Sequence, residues 1–298
     1  MSCAVLGAGG VGLSIAADLA RHGHDVLLIM RESGLTHYEG HIHVQSPHAD
    51  QWSVPVRATD RLTEQVDVVW TAVKRPQLDA ACNRIDAGAL SGTTVISLLN
   101  GVDHMPMLRN HFGDRVVAGS VRVEARRKSV GQVLRNSLFT ELELAATPAR
   151  SPALDRICDQ LEQAGLGVRL ESGENAENTV LWRKLSLLAP LALATAAVRG
   201  PMGEVRRDAR LHELVQDCAA EVCAVAGALG INLSSHRAAR ILAAIPDRTR
   251  SSLSWDVENG ALSETHALAD PVLRTGNEHG IPTPATAALL RAVLSPGQ

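Results

Sequence analysis

The stretch CAVLGAGGVGLSIAADLARHGHDVLLIMRES, Cys3 to Ser33, decides how the chain begins to fold. CAVL is a short apolar run that stops at a glycine cluster. Gly7, Gly9 and Gly12 satisfy the pattern GxGxxG, with Gly10 and Val11 inside it. VGLSIAADLARHG follows with apolar residues at helical spacing, and DVLLI has the pattern of a second strand. In such a strand, glycine turn, helix and strand, the glycines allow a tight turn and a close approach of backbone to a pyrophosphate. The phosphate charge then rests on the helix N-terminus. A glycine turn that only packs helix against strand shares the pattern, so the strand-turn-helix setting carries the weight.

The end of the second strand bears on which dinucleotide is bound. An acidic residue there takes a ribose 2′-hydroxyl, whereas an arginine suits a 2′-phosphate. LLIMRES puts Arg31 at the strand end and Glu32 just after it. Arg31 favours NADP(H), and Glu32 pulls the other way. Two further runs have the composition of parallel strands covered on both faces. VDVVWTAVK (66–74) ends at Lys74, with Gln77 close behind, and TTVISLLNG (93–101) ends at Asn100 and Gly101. Ligands of open α/β sheets bind beyond the carboxyl ends of the strands, so Lys74, Gln77 and Asn100 are candidate cofactor contacts. Further strands are predicted between Arg115 and Leu144, then a closing helix over SPALDRICDQLEQAG from Ser151 and a last strand at VRLES. The polar stretch SGENAEN marks a boundary, giving a Rossmann-like dinucleotide-binding domain over residues 1–172.

Past residue 178 strand signals vanish. ARLHELVQDCAAEVCAVAGALG carries apolar residues at i, i+3, i+4 and i+7, and RAARILAAI, SSLSWDVENGAL and TPATAALLRAVL continue in that manner. Residues 173–298 are therefore predicted to be an all-helical domain that supplies the substrate wall. WRKLSLLAPLALATAAV (182–198) holds one lysine, Lys184, at the mouth of an apolar run. The run is shorter than the ~20 residues a bilayer requires, so a buried helix is expected. Pro190 removes a backbone bond to Ser186 and should kink that helix.

Bulk properties narrow the function classes. A net charge of −3 gives no electrostatic case for nucleic acid or an anionic membrane as partner. Two Phe and one Tyr leave few rings to stack on bases. The five cysteines, at 3, 82, 158, 218 and 223, form no CxxC pair. Reduced thiols in a cytoplasmic protein are expected from that spacing, with neither a disulfide framework nor a zinc site. MSCAVLGAGG lacks the basic n-region of a signal peptide. His37, His41 and His43 lie in a loop-like polar segment without spaced cysteines or carboxylates, so no metal is expected. No GxSxG elbow supports serine hydrolase chemistry.

Six ordered motifs, the glycine fingerprint and five beyond it, run along the chain: GAGGVG, VKRPQ, SLLNGV, EARRKSVGQV, WRKL, and SSLSWDV followed by SETHAL. Through them the chain resembles the ketopantoate reductases, NADPH-dependent enzymes that make pantoate, nearly from end to end. The resemblance implies Lys184 as the catalytic lysine and Glu264 as its active-site carboxylate, with Glu264 also near the cofactor. It implies that Asn100 touches both nicotinamide and substrate, and that Ser252 meets the substrate carboxylate. Arg31, Lys74 and Gln77 would hold the adenosine phosphate end, and Ala125 would lie near the cofactor. A homodimer is also implied. The chemistry is coherent, because hydride addition to a ketone places charge on oxygen, which a positioned cation or proton donor stabilises. A lysine in apolar surroundings has a lowered pKa and donates more readily near neutral pH.

The pattern then breaks at the substrate wall. The family places asparagines four and eight residues after its lysine, where this chain has Leu188 and Ala192. A third asparagine position is Met202, and the usual Ile-Asn-Gly after the glutamate becomes Leu268, Ala269 and Asp270. Each lost amide bond costs about 1–3 kcal/mol toward a hydroxylated substrate. The expected activity is reduction of a 2-oxo acid or less polar ketone. Genuine 2-dehydropantoate reduction and a non-catalytic NADP(H)-binding sensor remain as alternatives.

Overall fold

The computed structural model describes residues 1–137, 140–146 and 152–295. The opening stretch folds as β1 (Ser2–Leu6), α1 (Gly10–Arg21) and β2 (Asp25–Ile29). After it come α2 (Glu32–Leu35), β3 (His41–Gln45), β4 (Trp52–Pro55) and β5 (Arg57–Thr59). The two apolar runs form β6 (Val68–Thr71) and β7 (Thr94–Ser97), separated by α3 (Leu78–Cys82) and followed by α4 (His104–Phe112). The region between 115 and 144 yields β8 (Val116–Arg122), β9 (Ala125–Ser129), β10 (Gln132–Arg135) and β11 (Glu141–Ala145), with residues 138–139 outside the described ones. α5 (Pro152–Gln163) and β12 (Gly167–Glu171) complete this part, and Ser151, where the closing helix is expected to begin, lies outside the described residues.

These strands build two sheets. The larger has the order β12-β11-β8-β7-β6-β1-β2-β5, and its central pairs are parallel. Every residue of β6 and β7 is buried, as strands rich in Val and Ile covered on both faces must be. The chain steps from β1 to β2 on one side and later returns to β6 on the other, which makes the carboxyl end of β1 a switch point. The glycine cluster stands there. The smaller sheet, in the order β4-β3-β10-β9, corrects the sequence reading of the histidine segment. His41 and His43 belong to β3 rather than a loop, and their rings stack 6.3 Å apart. The pleat sends Ile42 and Val44 into the core and the histidines outward, and this alternation is masked in sequence by a half-polar strand.

From Ala176 onward the described structure is helical: α6 (Ala176–Ala197), α7 (Met202–Arg207), α8 (Ala209–Ala228), α9 (Ser235–Ala243), α10 (Ser252–Glu258), α11 (Ser263–Glu278) and α12 (Pro284–Leu294). α6 is assigned as one continuous helix through Pro190. At 22 residues it is long and apolar enough to cross a membrane by length and composition, yet 67% of its most apolar window is buried inside the protein. Ser234 and Ser251 cap α9 and α10, and Asp208 caps α8, each side chain accepting from a backbone N–H in the first turn.

The chain divides into two compact units. One is Met1–Leu99 with His104–Val180, and the other is Leu181–Gln298 with the short segment Asn100–Asp103. Each unit has its own apolar core. The first is centred on residues such as Leu13, Leu28, Trp70 and Ile96, the second on Leu193, Val222, Leu268 and Leu289.

Candidate active site

In the first unit the glycines have separate physical reasons. Gly7 sits at φ +113°, where a side chain is strained, and a Cβ there would lie 2.8 Å from Val73 Cγ1. A Cβ on Gly12 would lie 1.8 Å from Gly7 O, so α1 can press against β1 only without one. At Gly10 the obstacle is Ala125 O, 2.3 Å from the position of an ideal Cβ. Ala125 opens β9, so the smaller sheet covers the first turn of α1. Gly9 is the N-cap and supplies no side-chain acceptor, which leaves first-turn N–H groups for another partner. A narrow glycine cradle with uncapped donors fits a dinucleotide pyrophosphate.

The same helix is anchored by a buried pair that sequence inspection misses. Asp18 accepts two hydrogen bonds of 2.7 Å from Arg135 Nη1 and one of 3.0 Å from Thr140 Oγ1. The partners stand 117 and 122 residues away in sequence, and no local pattern signals them.

Of the other cofactor-contact candidates in this unit, Arg31 is exposed and serves as N-cap residue of α2. Lys74 is half-buried before a 3-10 turn that runs Arg75–Gln77, and Gln77 is exposed. Arg31 and Glu32 form no ion pair with one another among the described residues.

The second unit holds Lys184, Glu264 and Asn100. Lys184 lies on α6, half-buried, and Glu264 is 9% exposed in the first turn of α11. Burial pushes the Lys184 ammonium down to about 8, and the charge of Glu264 opposes that fall. Asn100 is joined to α11 by its own short segment. Gly101, at φ +81°, packs so closely that a Cβ would stand 2.5 Å from Ala267 O. Two residues on, Asp103 accepts from Arg274 Nη2 at 2.7 Å. The Asn-Gly turn and the helix that carries Glu264 are thereby tied together.

The positions expected to face substrate differ in setting. Leu188 is half-buried, while Ala192 and Met202 are each 1% exposed and belong to the second core, together with Ala269. Ser252 is exposed at the start of α10. Its neighbour Ser251 is buried instead, 2.7 Å from Thr195 Oγ1. Among the described residues no group of three or more His, Cys, Asp or Glu could hold a metal ion, and none of the five cysteines is in a disulfide.

A doubly covered parallel sheet with a glycine cradle, followed by a helical unit with a depressed lysine beside a carboxylate, fits a dinucleotide-dependent oxidoreductase. Comparison with known proteins sharpens that class. Residues 3–148 match the family described as ketopantoate reductase PanE/ApbA, and residues 178–295 match its C-terminal part. A 2-dehydropantoate 2-reductase of Caulobacter vibrioides is 30% identical over 301 residues, covering 98% of each chain. A PanE/ApbA family ketopantoate reductase of Ralstonia eutropha JMP134 superposes with a TM-score of 0.85 at 28% identity, covering 99% of this chain and 97% of that one. D-mandelate dehydrogenase, solved with NADH and anilino(oxo)acetate, shares the fold with a TM-score of 0.86 at 20% identity, over 99% and 97% of the two chains. The chain belongs to the ketopantoate reductase family. It is an oxidoreductase of a CH–OH/C=O couple, and the cofactor of the family is NADPH.

Proposed function

We propose that the protein is an NADPH-dependent reductase of a 2-oxo acid or a less polar ketone. The observation that carries this reading is Lys184, depressed to about 8 beside Glu264, on a helix whose next turn carries the half-buried Leu188. NADPH, when bound, supplies the hydride. Gly7, Gly9, Gly10, Val11 and Gly12 hold its pyrophosphate, and Arg31, Lys74 and Gln77 its adenosine phosphate end. The Ala125 backbone closes the cradle over Gly10. Lys184 Nζ gives its proton to the carbonyl oxygen as negative charge develops there. Glu264 keeps the amine charged in the resting site and orients it. Asn100 donates its side-chain amide to the substrate, and Ser252 takes the carboxylate.

The apolar residues at 188, 192 and 202 favour a substrate with fewer hydroxyl groups than ketopantoate, because amides that would pair with them are missing. D-Mandelate dehydrogenase illustrates that the fold serves a 2-oxo acid analogue with an aromatic group. Genuine 2-dehydropantoate reduction is the second reading, favoured by the full-length likeness to the Caulobacter enzyme. We further expect a cytoplasmic homodimer, in keeping with the family resemblance and with the dimeric ketopantoate reductase of Staphylococcus aureus.

One assay separates these readings. NADPH oxidation is followed with ketopantoate and with a panel of less polar 2-oxo acids and ketones, using wild type and Lys184→Ala. The proposal expects faster turnover on a less polar member and a loss of about 10²–10⁴-fold in kcat for Lys184→Ala. Turnover confined to ketopantoate selects the second reading. NADPH binding without turnover on any member would point to a sensor.

A further inference from the structure

The carboxyl end of β2 carries a second guanidinium besides Arg31. Met30 N donates to Thr59 O at 2.9 Å, so β2 and β5 leave the sheet side by side. Arg84, just past α3, reaches this point. Its Nη1 donates to Met30 O at 3.3 Å and to Asp60 O at 3.1 Å. Met30 O belongs to the peptide that leads into Arg31, so the Arg84 charge lies one residue from the predicted 2′-phosphate contact.

The state of that charge is unusual for its surroundings. Arg84 is half-buried, and among the described residues no carboxylate pairs with it. Its Nε and Nη2 make no hydrogen bond there either. Nearby arginines are neutralised: Arg61 meets Asp86 at 3.1 Å, and Arg57 meets Asp25 and Glu64 at 3.2 and 2.8 Å. A partly desolvated guanidinium without a counter-charge costs stability, and its fork of unused donors matches phosphate geometry. The strand end is also where Glu32 adds an opposing charge without pairing to Arg31, so a lone Arg31 would select weakly.

We propose that Arg84 is a second determinant of selection for a 2′-phosphorylated dinucleotide. It holds the Met30 peptide that carries Arg31 and lends its own positive charge to the 2′-phosphate subsite. This rests on the reading that Arg31 meets that phosphate, and the experiment keeps the two apart. NADPH and NADH are titrated separately by tryptophan fluorescence into wild type, Arg84→Gln, Arg84→Lys and Arg31→Gln, with melting curves for each variant.

Arg84→Gln is expected to raise the NADPH Kd about tenfold and the NADH Kd less than twofold. Arg84→Lys keeps charge but loses the planar fork, so the NADPH Kd rises only two- to threefold, with NADH unchanged. Equal weakening of both cofactors, or no change in NADPH binding, overturns the proposal. If Arg84→Gln does not fold, the Arg84→Lys titration decides by the same criterion. A cofactor preference unchanged in Arg31→Gln refutes the Arg31 reading, whereas a preference reduced in Arg31→Gln but unchanged in Arg84→Gln refutes only the role of Arg84.

Discussion

Lys184 is the residue whose chemistry is most exposed to test. Burial strips water from its ammonium group and Glu264 returns part of the loss, leaving a group depressed to about 8. With Lys184 as the proposed proton donor, the proton must be present in the reduction direction, so kcat/KM should fall as pH rises through about 8. In the oxidation direction the free amine is needed, and the rate rises through the same value. Glu264→Gln removes the charge that holds the pKa up, so the falling limb of the reduction profile should move down by about one pH unit. A limb that stays in place would remove Glu264 from this role. Leu188 carries the substrate argument at the same scale. Leu188→Asn restores an amide at a half-buried position and should raise kcat/KM for ketopantoate relative to a less polar 2-oxo acid by about tenfold, read in competition assays. Residue chemistry of this sort was legible in sequence only through the ordered motifs. The lowering of the Lys184 pKa was expected from its apolar run, but its extent was not, since that depends on how much of the amine the folded chain covers.

At the scale of elements, α1 is held at both ends by contacts of different kinds. Gly12→Ala would set a Cβ 1.8 Å from Gly7 O and force the helix away from β1. A destabilisation of about 3 kcal/mol is expected in denaturant melts, with weakened NADPH binding. Gly88→Ala is the control, because its Cβ would meet nothing within 4 Å, and it should melt with wild type. Asp18 fixes the other part of the helix to β10. Its side chain and that of Arg135 are only 10% and 14% exposed, so Asp18→Asn leaves a largely buried, uncompensated guanidinium. A loss of about 3 kcal/mol is expected, again read by denaturant melting. The glycine turn and its flanking elements could be read from local periodicity. The smaller sheet could not, because β3 alternates histidines with core residues and pairs with β10 from nearly ninety residues further along.

For the whole molecule, cofactor binding is the global readout. A ligand that binds only the folded state stabilises it by about 2.7 kcal/mol at a hundredfold its Kd. NADPH should therefore raise Tm more than NADH at equal concentration, and the difference should shrink in Arg31→Gln. Equal shifts by both cofactors in wild type would contradict NADP selection. Sedimentation equilibrium tests the expected homodimer, and a monomer at micromolar concentration would refute it.

The sequence by itself determined the class of fold. Hydrophobic period switches from strand to helix at the glycine fingerprint, and strand patterns cease after residue 178, so an α/β part must precede a helical one. It also marked Arg31 and Asn100 at the ends of predicted strands, and Lys184 and Glu264 through the resemblance to the family. Only the tertiary structure decided that the Asn-Gly turn packs against α11, that Asp18 is neutralised by Arg135, and that Arg84 donates to the Met30 carbonyl with no carboxylate partner among the described residues. The physical reason is range. Periodicity and turn chemistry act over a few residues, whereas burial and charge pairing are set by neighbours from distant parts of the chain, 54 residues apart for Arg84 and Met30.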